Sequence, residues 1–359
     1  MRKLNRYLIA NILKLLFLSE LAGMIIFVTI EFFDHVELFT RSLDRLLLSF
    51  VYIGLKMPYF FNLILPLAFL ISILILIIMM IRGNEVVAIR TAGISTFALM
   101  KPFLSLSLLL VILSFALSEW VIPYTYSASE YLYQAKIKRE KVYVVFKNDK
   151  IWFKRDNVIS NIEFLDTKKD VINGVTVLEM SPDYIVQRRF DAAEGVWKDG
   201  DWHFLNVTER RFGPEGIISR TVHPTMTGLI KEPPSLLKIV EKSPEEMSYK
   251  ELSRYISKLR RNGHDVRRYM VDLYAKISFP FINVIMVLVA FSLGLRYSKT
   301  KHISAGVFWG IAVGALYWIL HSISLSFGYS EIFPALFAAW LSNLLFFSLG
   351  VIGIITVRT

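Results

Sequence analysis

The stretch MPYFFNLILPLAFLISILILIIMMI, residues 57–81, decides the fold of this chain because it carries 25 consecutive residues without a charge. A bilayer core about 30 Å thick is crossed by a helix of about 20 apolar residues. Five other apolar runs are of similar character, although Glu20 interrupts the first of them: 15–30, 102–118, 277–295, 303–327 and 332–357. The pattern predicts a polytopic membrane protein with six spans.

A polar block of roughly 120 residues separates the first three apolar runs from the last three. This spacing predicts an α+β membrane protein with six transmembrane helices (3+3) and an inserted periplasmic β-jelly-roll domain. The predicted boundaries are 1–123 for helices one to three, 124–242 for the β-domain, 243–263 for a connecting helix and 264–359 for helices four to six.

The polar block has the pattern of a β-domain, because short alternating segments are separated by turn residues such as Asp199-Gly200. Many short strands with regular turns favour a sandwich or jelly roll. The apolar face is typical of an ordinary sandwich core; the alternative is a trough for lipid tails, which requires the sandwich to be open at an edge. The predicted strands are 142–147, 150–154, 174–180, 183–190, 202–210 and 216–222.

The connecting helix is predicted from a capping box at Ser243-Pro-Glu-Glu246 and from an end signal at Gly263. Its apolar positions recur at helical spacing, which predicts one buried stripe; they are Leu252, Tyr255, Ile256 and Leu259.

The net charge of +11 would favour nucleic acid as the partner of a soluble chain, but here the membrane explains it. Basic residues concentrate at the N-terminus and in the loops after the second and fourth runs. Because cytoplasmic loops accumulate Lys and Arg, we expect both termini in the cytoplasm and the polar block in the periplasm of a two-membrane bacterium. The chain has no cysteine, which excludes disulfides and thiolate metal sites.

The loop between the second and third runs has the signals of a short helix. Asn84 is placed to cap it, Glu85 and Arg90 suit its positive and negative ends, and Gly93 is placed to end it. Val86, Ile89 and Gly93 share one face. Such a helix could insert into a groove on a cytoplasmic partner, or it could be a plain connector.

Sequence motifs for catalysis are absent. The chain has no G-x-x-x-x-G-K-[ST] phosphate loop, no H-E-x-x-H zinc signature and no G-x-S-x-G nucleophile elbow. We therefore predict no enzyme activity, no metal and no cofactor bound by this chain.

Four strings, in this order and spacing, resemble the lipopolysaccharide-export permease family LptF/LptG, also called YjgP/YjgQ. They are NEVVAIRTAGIS (84–95), SEWVIP (118–123), YAKISFP (274–280) and AAWLSNLLF (338–346). The resemblance covers essentially the whole chain and is closer to the LptG branch. Ser342 departs from it, since that branch often has Pro there.

The resemblance implies a permease pair, one LptF-type and one LptG-type chain, on two copies of the ATPase LptB, which uses the ATP. The pair would take lipopolysaccharide from the inner membrane and pass it to the jelly rolls of LptC and LptA. The resemblance also implies that Glu85 pairs with a basic residue of the ATPase, while Val86 and Ile89 pack into its groove.

Lipid A carries phosphates above its acyl chains, so its site needs cations at the outer membrane interface. The candidates near predicted helix ends are Arg41, Arg45, Lys136, Arg139 and Lys276. Each of them could instead be an ordinary interfacial side chain. Glu130 and Tyr133 stand where LptG chains often have Arg.

Two other classes of protein share part of this layout. A four-helix permease of the lipoprotein-release class has its periplasmic domain after the first helix, whereas three spans come first here. A membrane-anchored envelope sensor or scaffold fits the same layout but would need no ATPase.

Overall fold

The computed structural model describes residues 2–138, 143–147, 150–155, 157–166, 170–182, 185–213, 216–234, 243–261, 265–296 and 303–356. The chain divides into two compact units. A helical unit comprises Met1–Glu130 together with Pro244–Thr359, and a β unit comprises Tyr131–Ser243.

The helical unit is built from long helices joined by short connections. Its first half contains α1 (Arg2–Asp34), α2 (Val36–Phe39), α3 (Leu43–Arg82), α4 (Glu85–Thr91), α5 (Thr96–Ala116) and α6 (Ile122–Leu132). A π-helical turn, Leu117–Val121, joins α5 to α6, and a second one, Tyr133–Lys138, follows α6. Its second half contains α7 (Tyr249–Arg261), α8 (Arg267–Ser278), α9 (Ile282–Arg296), α10 (Ile303–Tyr329) and α11 (Ala335–Thr356).

The predicted α+β membrane fold with six spans is confirmed. Among the described residues, five continuous helical segments are long and apolar enough to cross a bilayer, and a bent pair, α8 with α9, provides the sixth span. The fourth span was predicted as one run, 277–295. It is instead broken around Pro280, and its two halves are bent by 57°.

Side chains of α9, α10 and α11 form hydrogen bonds at this break. Asn343 of α11 donates from Nδ2 to the carbonyl oxygen of Ser278, at 2.7 Å, and Tyr317 of α10 donates to Asn343 Oδ1, also at 2.7 Å. Asn283 donates to the carbonyl of Pro280 at 3.0 Å. An unpaired backbone group in lipid costs several kcal/mol. These amides therefore stabilise the bend and tie α10 and α11 to it.

Helix α3 is the central span, since it packs against α1, α9 and α10. Its contact with α10 depends on glycines at every fourth position. A Cβ added at Gly306, Gly310 or Gly314 would lie within 2.8 Å of Ile78, Ile71 or Leu67, respectively. Small residues at this spacing let two helix backbones approach closely, which is how helices gain packing energy where lipid is as apolar as the side chains.

The β unit confirms the predicted inserted β-domain. The seven strands that the structure describes form one antiparallel sheet in consecutive order, so each strand pairs with its neighbours in sequence. The strands are β1 (Tyr143–Lys147), β2 (Lys150–Arg155), β3 (Val158–Asp166), β4 (Val171–Met180), β5 (Val186–Lys198), β6 (Asp201–Gly213) and β7 (Gly216–Met226). Strand β3 was not predicted, because its apolar residues are mixed with Ser160, Asn161 and Glu163.

One face of the sheet is the apolar core of the β unit, centred on the fully buried Trp202 and Phe204. Trp202 donates from Nε1 to the carbonyl of Glu232 at 2.7 Å, which fixes the segment after β7 on the sheet. The predicted turn at Asp199-Gly200 is confirmed. Both residues have positive φ and connect β5 to β6 as a two-residue hairpin.

At one edge of this core a carboxylate is held by two basic side chains. Glu209 is 5% exposed, and Arg211 and His223 lie 2.8 and 2.9 Å from its oxygens. These hydrogen bonds lower the pKa of the Glu209 carboxyl, because they stabilise its charged form. The buried charge of Glu209 at this edge of the core is therefore paired.

The connecting helix begins later than predicted. Residues Pro244–Glu246 form a 3-10 turn, and the capping box is Ser248 with Glu251. Ser248 Oγ accepts from the amide of Glu251, and Glu251 Oε2 accepts from the amide of Ser248. The capping box predicted at Ser243 is therefore wrong. The four predicted apolar positions are buried, and Gly263 lies outside the described residues.

Replacing Asn343 by Leu should lower the free energy of unfolding by about 2 kcal/mol, because the Ser278 carbonyl loses its donor in an apolar layer. Tyr317→Phe should cost only about 0.6 kcal/mol, the average for a side-chain hydrogen bond between membrane helices. Reversible unfolding in mixed micelles measures both. Ser348→Ala is the matched control, since Ser348 is exposed and bonds only within α11. Equal effects of Asn343→Leu and Ser348→Ala would contradict the assigned role.

Candidate functional site

The predicted coupling helix exists as α4, residues Glu85–Thr91. Gly93 ends it as predicted. It has φ +78°, its amide bonds the carbonyl of Arg90, and the amide of Ile94 bonds the carbonyl of Ile89, which together form a Schellman motif. Asn84 occupies the N-cap position with φ 59°, but its side chain makes no capping hydrogen bond. The predicted side-chain cap is therefore wrong, and Asn84 supplies a left-handed turn between α3 and α4.

Glu85 is joined to the first span by Tyr7. The Tyr7 hydroxyl lies 3.0 and 3.1 Å from the two carboxylate oxygens of Glu85. The two residues are 78 positions apart, so the contact places the start of α1 and the start of α4 at the same end of the helical unit. Glu85 remains partly exposed beside it.

The two faces of α4 differ from the prediction. Val86 is 7% exposed and belongs to the core of the helical unit, and Ile89 packs against the same core. Val87 is 58% exposed, and Arg90 is exposed as well. Val86 and Ile89 were predicted to pack into a partner, but they face inward because α4 must cover the ends of α3 and α5. The apolar side chain that α4 presents outward is Val87.

Of the predicted substrate-binding residues, Arg41 and Arg45 lie together at the start of α3. Arg41 is exposed in the turn before the helix, and Arg45 is half-buried in its first turn. The Nη1 atom of Arg45 is buried and has no hydrogen-bond partner among the described residues. A guanidinium nitrogen in this condition is an available donor for an anion.

Sequence reasoning missed a buried lysine on the same face of α3. Lys56 is 9% exposed and donates to Glu31 of α1 at 2.8 Å, and Tyr52 donates to the same oxygen at 2.6 Å. The Lys56 ammonium also lies 5.4 Å from the ring centroid of Tyr126. Arg45, Tyr52 and Lys56 follow one another at intervals of seven and four, a helical spacing that could have revealed them.

The remaining predicted cations are Lys276, Lys136 and Arg139. Lys276 in α8 is half-buried, and its electrostatic neighbours are the carboxylates of Glu245, Asp272, Glu119 and Glu251. Lys136 is exposed and belongs to the β unit. Arg139 lies outside the described residues. Lys276 is therefore surrounded by negative charge, which disfavours a phosphate beside it.

Glu119, in the π-helical turn after α5, has a structural role. It is 8% exposed, and its Oε2 accepts from the amide of Tyr249, the first residue of α7, at 2.7 Å. A carboxylate at this position satisfies a free amide and suits the positive end of the helix dipole. Glu119 therefore anchors α7 to the third span.

Replacing Lys56 by Met should lower the free energy of unfolding by about 3 kcal/mol, because the half-buried Glu31 loses its cationic partner and keeps only the hydrogen bond from Tyr52. The double variant Lys56→Met with Glu31→Leu should recover most of that loss, since both charges are removed. Lys14→Met is the control, because Lys14 is exposed on α1. Unfolding in mixed micelles is the measurement, and a double variant no more stable than Lys56→Met alone would refute the pairing.

Comparison with known proteins gives one consistent result. The sequence model of the family described as "Lipopolysaccharide export system permease LptF/LptG" matches residues 6–356. The chain is 26% identical to the lipopolysaccharide export system permease protein LptG of Haemophilus influenzae over 349 residues, 96% of this chain and 95% of the relative. It is 23% identical to the LptG of Escherichia coli K12 over 332 residues, 90% and 88% of the two chains. These matches cover both units, and with the six-span α+β fold they show that the chain belongs to the LptF/LptG family of lipopolysaccharide export permeases, multi-pass proteins of the bacterial inner membrane.

Proposed function

We propose that this chain is the LptG-type permease subunit of an ATP-driven exporter of lipopolysaccharide. It pairs with an LptF-type permease and two LptB ATPase subunits, and it passes lipid to LptC and LptA through jelly-roll domains. The observation that carries this proposal is α4, an exposed short helix that is joined to α1, α3 and α5 in a chain whose family is named for this transport.

The contacts of α4 give it the properties of a coupling element. The Tyr7–Glu85 hydrogen bonds connect it to α1, and Val86 packs into the same core as Leu99 of α5 and Met80 of α3. A force applied to α4 is therefore delivered to three spans at once. ATP-driven closure of the ATPase pair would move these spans, narrow the cavity between the two permeases and expel the lipid.

The orientation follows from the same contact. The N-terminus and α4 are at one end of the helical unit. The N-terminus carries Arg2, Lys3 and Arg6, and the loop that contains α4 carries Arg82 and Arg90, as is typical of cytoplasmic segments. The β unit is inserted after the third span, so it lies in the periplasm. No ATP site is needed in this chain, because the ATPase subunits bind and hydrolyse the nucleotide.

For the lipid, the structure favours Arg45 among the predicted cations. Its buried Nη1 atom has no acceptor among the described residues, whereas Lys56 is paired with Glu31 and Lys276 has four acidic neighbours. A lipid A phosphate would supply the missing acceptor. Arg41, one turn away and exposed, would provide a second positive charge at the same level.

Val87→Lys and Glu85→Lys should each weaken recovery of the ATPase with the tagged permease at least tenfold, because both change the exposed face of α4. Val222→Lys is a matched control, since Val222 is 57% exposed, as Val87 is at 58%, but lies in the β unit. Purification from native membranes and native mass spectrometry measure the subunits retained. Full ATPase recovery with both α4 variants, or its absence from the wild-type complex, would favour the sensor or scaffold function instead.

Arg45→Gln should reduce the amount of lipopolysaccharide that copurifies with the complex by roughly tenfold, because the lipid phosphate loses one charge-assisted hydrogen bond. Arg45→Lys should retain part of it, since the charge remains. Arg220→Gln, which removes an exposed arginine of the β unit, should have no effect. Bound lipid is measured by mass spectrometry. Unchanged binding by Arg45→Gln would remove this residue from the site while leaving the ATPase partnership untouched.

A further inference from the structure

The outward face of α7 is cationic, and none of the functions above uses it. Lys250, Arg254, Arg260 and Arg261 are all exposed. Arg254 donates to the carbonyl of Lys250, and Arg260 donates to the sulfur of Met270. Within the described part of the chain, these four residues make no ion pair. The acidic residue of the helix, Glu251, is engaged in the capping box.

The apolar face of α7 is already covered by the chain itself. Leu252, Tyr255, Ile256 and Leu259 are at most 5% exposed. An amphipathic helix that inserts in a bilayer buries its apolar face among acyl chains. This helix cannot do so, because its apolar face is used for packing. Only its cationic face is available to a ligand.

Three contacts place α7 where spans leave the bilayer. Glu119 accepts from its first amide, Tyr255 packs edge-on against Tyr269 at 5.2 Å, and Arg260 touches Met270. Tyr269 and Met270 lie in the first turn of α8, which begins the bent span.

The same end of the bent span carries an interfacial belt of charged and aromatic side chains. Arg267 is paired with Glu331 of the α10–α11 turn, and the Arg268 guanidinium lies 5.6 Å from the Tyr329 ring centroid. Aromatic and basic residues in this arrangement are typical of the headgroup level. The chemical groups present at that level in any bacterial inner membrane are lipid phosphates.

We propose that the cationic face of α7 binds the phosphates of anionic phospholipids in the surrounding bilayer, in the leaflet at which the chain enters and leaves the β unit. The occupant is the bilayer lipid rather than the transported lipid, because the face is exposed on the outside of a helix that packs against α8. It would hold α7 against the membrane surface while the spans move. This inference does not depend on which lipid is exported.

The test uses the full-length chain in detergent, titrated with phosphatidylglycerol or with phosphatidylcholine of the same acyl chains, and read by native mass spectrometry. The variant is Lys250→Gln, Arg254→Gln and Arg261→Gln together; Arg260 is kept because it packs on Met270. The control is Lys198→Gln, Arg220→Gln and Lys231→Gln, which removes three exposed charges from the β unit.

Wild type and control should prefer phosphatidylglycerol, and the α7 variant should lose that preference by on the order of 100-fold at low salt, roughly fivefold for each cation. Unchanged thermal unfolding of the α7 variant shows that the loss is not misfolding. The proposal is overturned if the variant keeps its preference, or if the control loses it equally, which would make the effect one of net charge. It is also overturned if only copurified lipopolysaccharide falls, since the face would then belong to the exported lipid.

Discussion

The requirement that every backbone polar group be satisfied inside an apolar layer shapes the helical unit. A straight helix meets it alone, but the fourth span is broken at Pro280 and cannot. Asn343 and Asn283 supply the missing donors, and Tyr317 holds Asn343 in place. Three spans therefore meet at one break. Gly306, Gly310 and Gly314 then let α10 pack closely against α3. The position of the central span therefore depends on α10, which the hydrogen bond from Tyr317 to Asn343 connects to the break.

The same requirement separates structural charges from functional ones. A charged group in a span is costly unless it is paired. Glu31 and Lys56 satisfy each other, and Glu119 is satisfied by a helix amide. Arg45 Nη1 and the carboxylate of Glu20 have no partner within the described residues. An unpaired charge needs a reason, and for Arg45, beside the exposed Arg41 at a helix end, the reason we propose is an anionic lipid headgroup.

The sequence predicted the elements whose signal is local. Charge-free runs predicted the spans, Gly93 predicted the end of α4, and Asp199-Gly200 predicted a hairpin turn. It did not predict which face of α4 is buried, because Val86 and Val87 are chemically identical and only the packing of α3 and α5 distinguishes them. The break at Pro280 was missed for a similar reason. Pro66 lies within α3 without ending it, so a proline alone does not indicate that a span is broken. The break at Pro280 also depends on amide side chains that are distant in the sequence, such as Asn343.

The role of Lys56 could not be read from its sequence neighbourhood, because its partner Glu31 lies on another helix. Lys56 directly precedes the charge-free run 57–81 and therefore looks like an interfacial cation, yet its pair with Glu31 leaves no net charge at that point of the bundle. Among the described residues, Arg41, Arg45 and the four cations on the outer face of α7 make no ion pair. In the proposed function, Arg41 and Arg45 attract the lipid phosphate at the edge of the spans. Lys56 does not compete for this phosphate, because Glu31 already neutralises it.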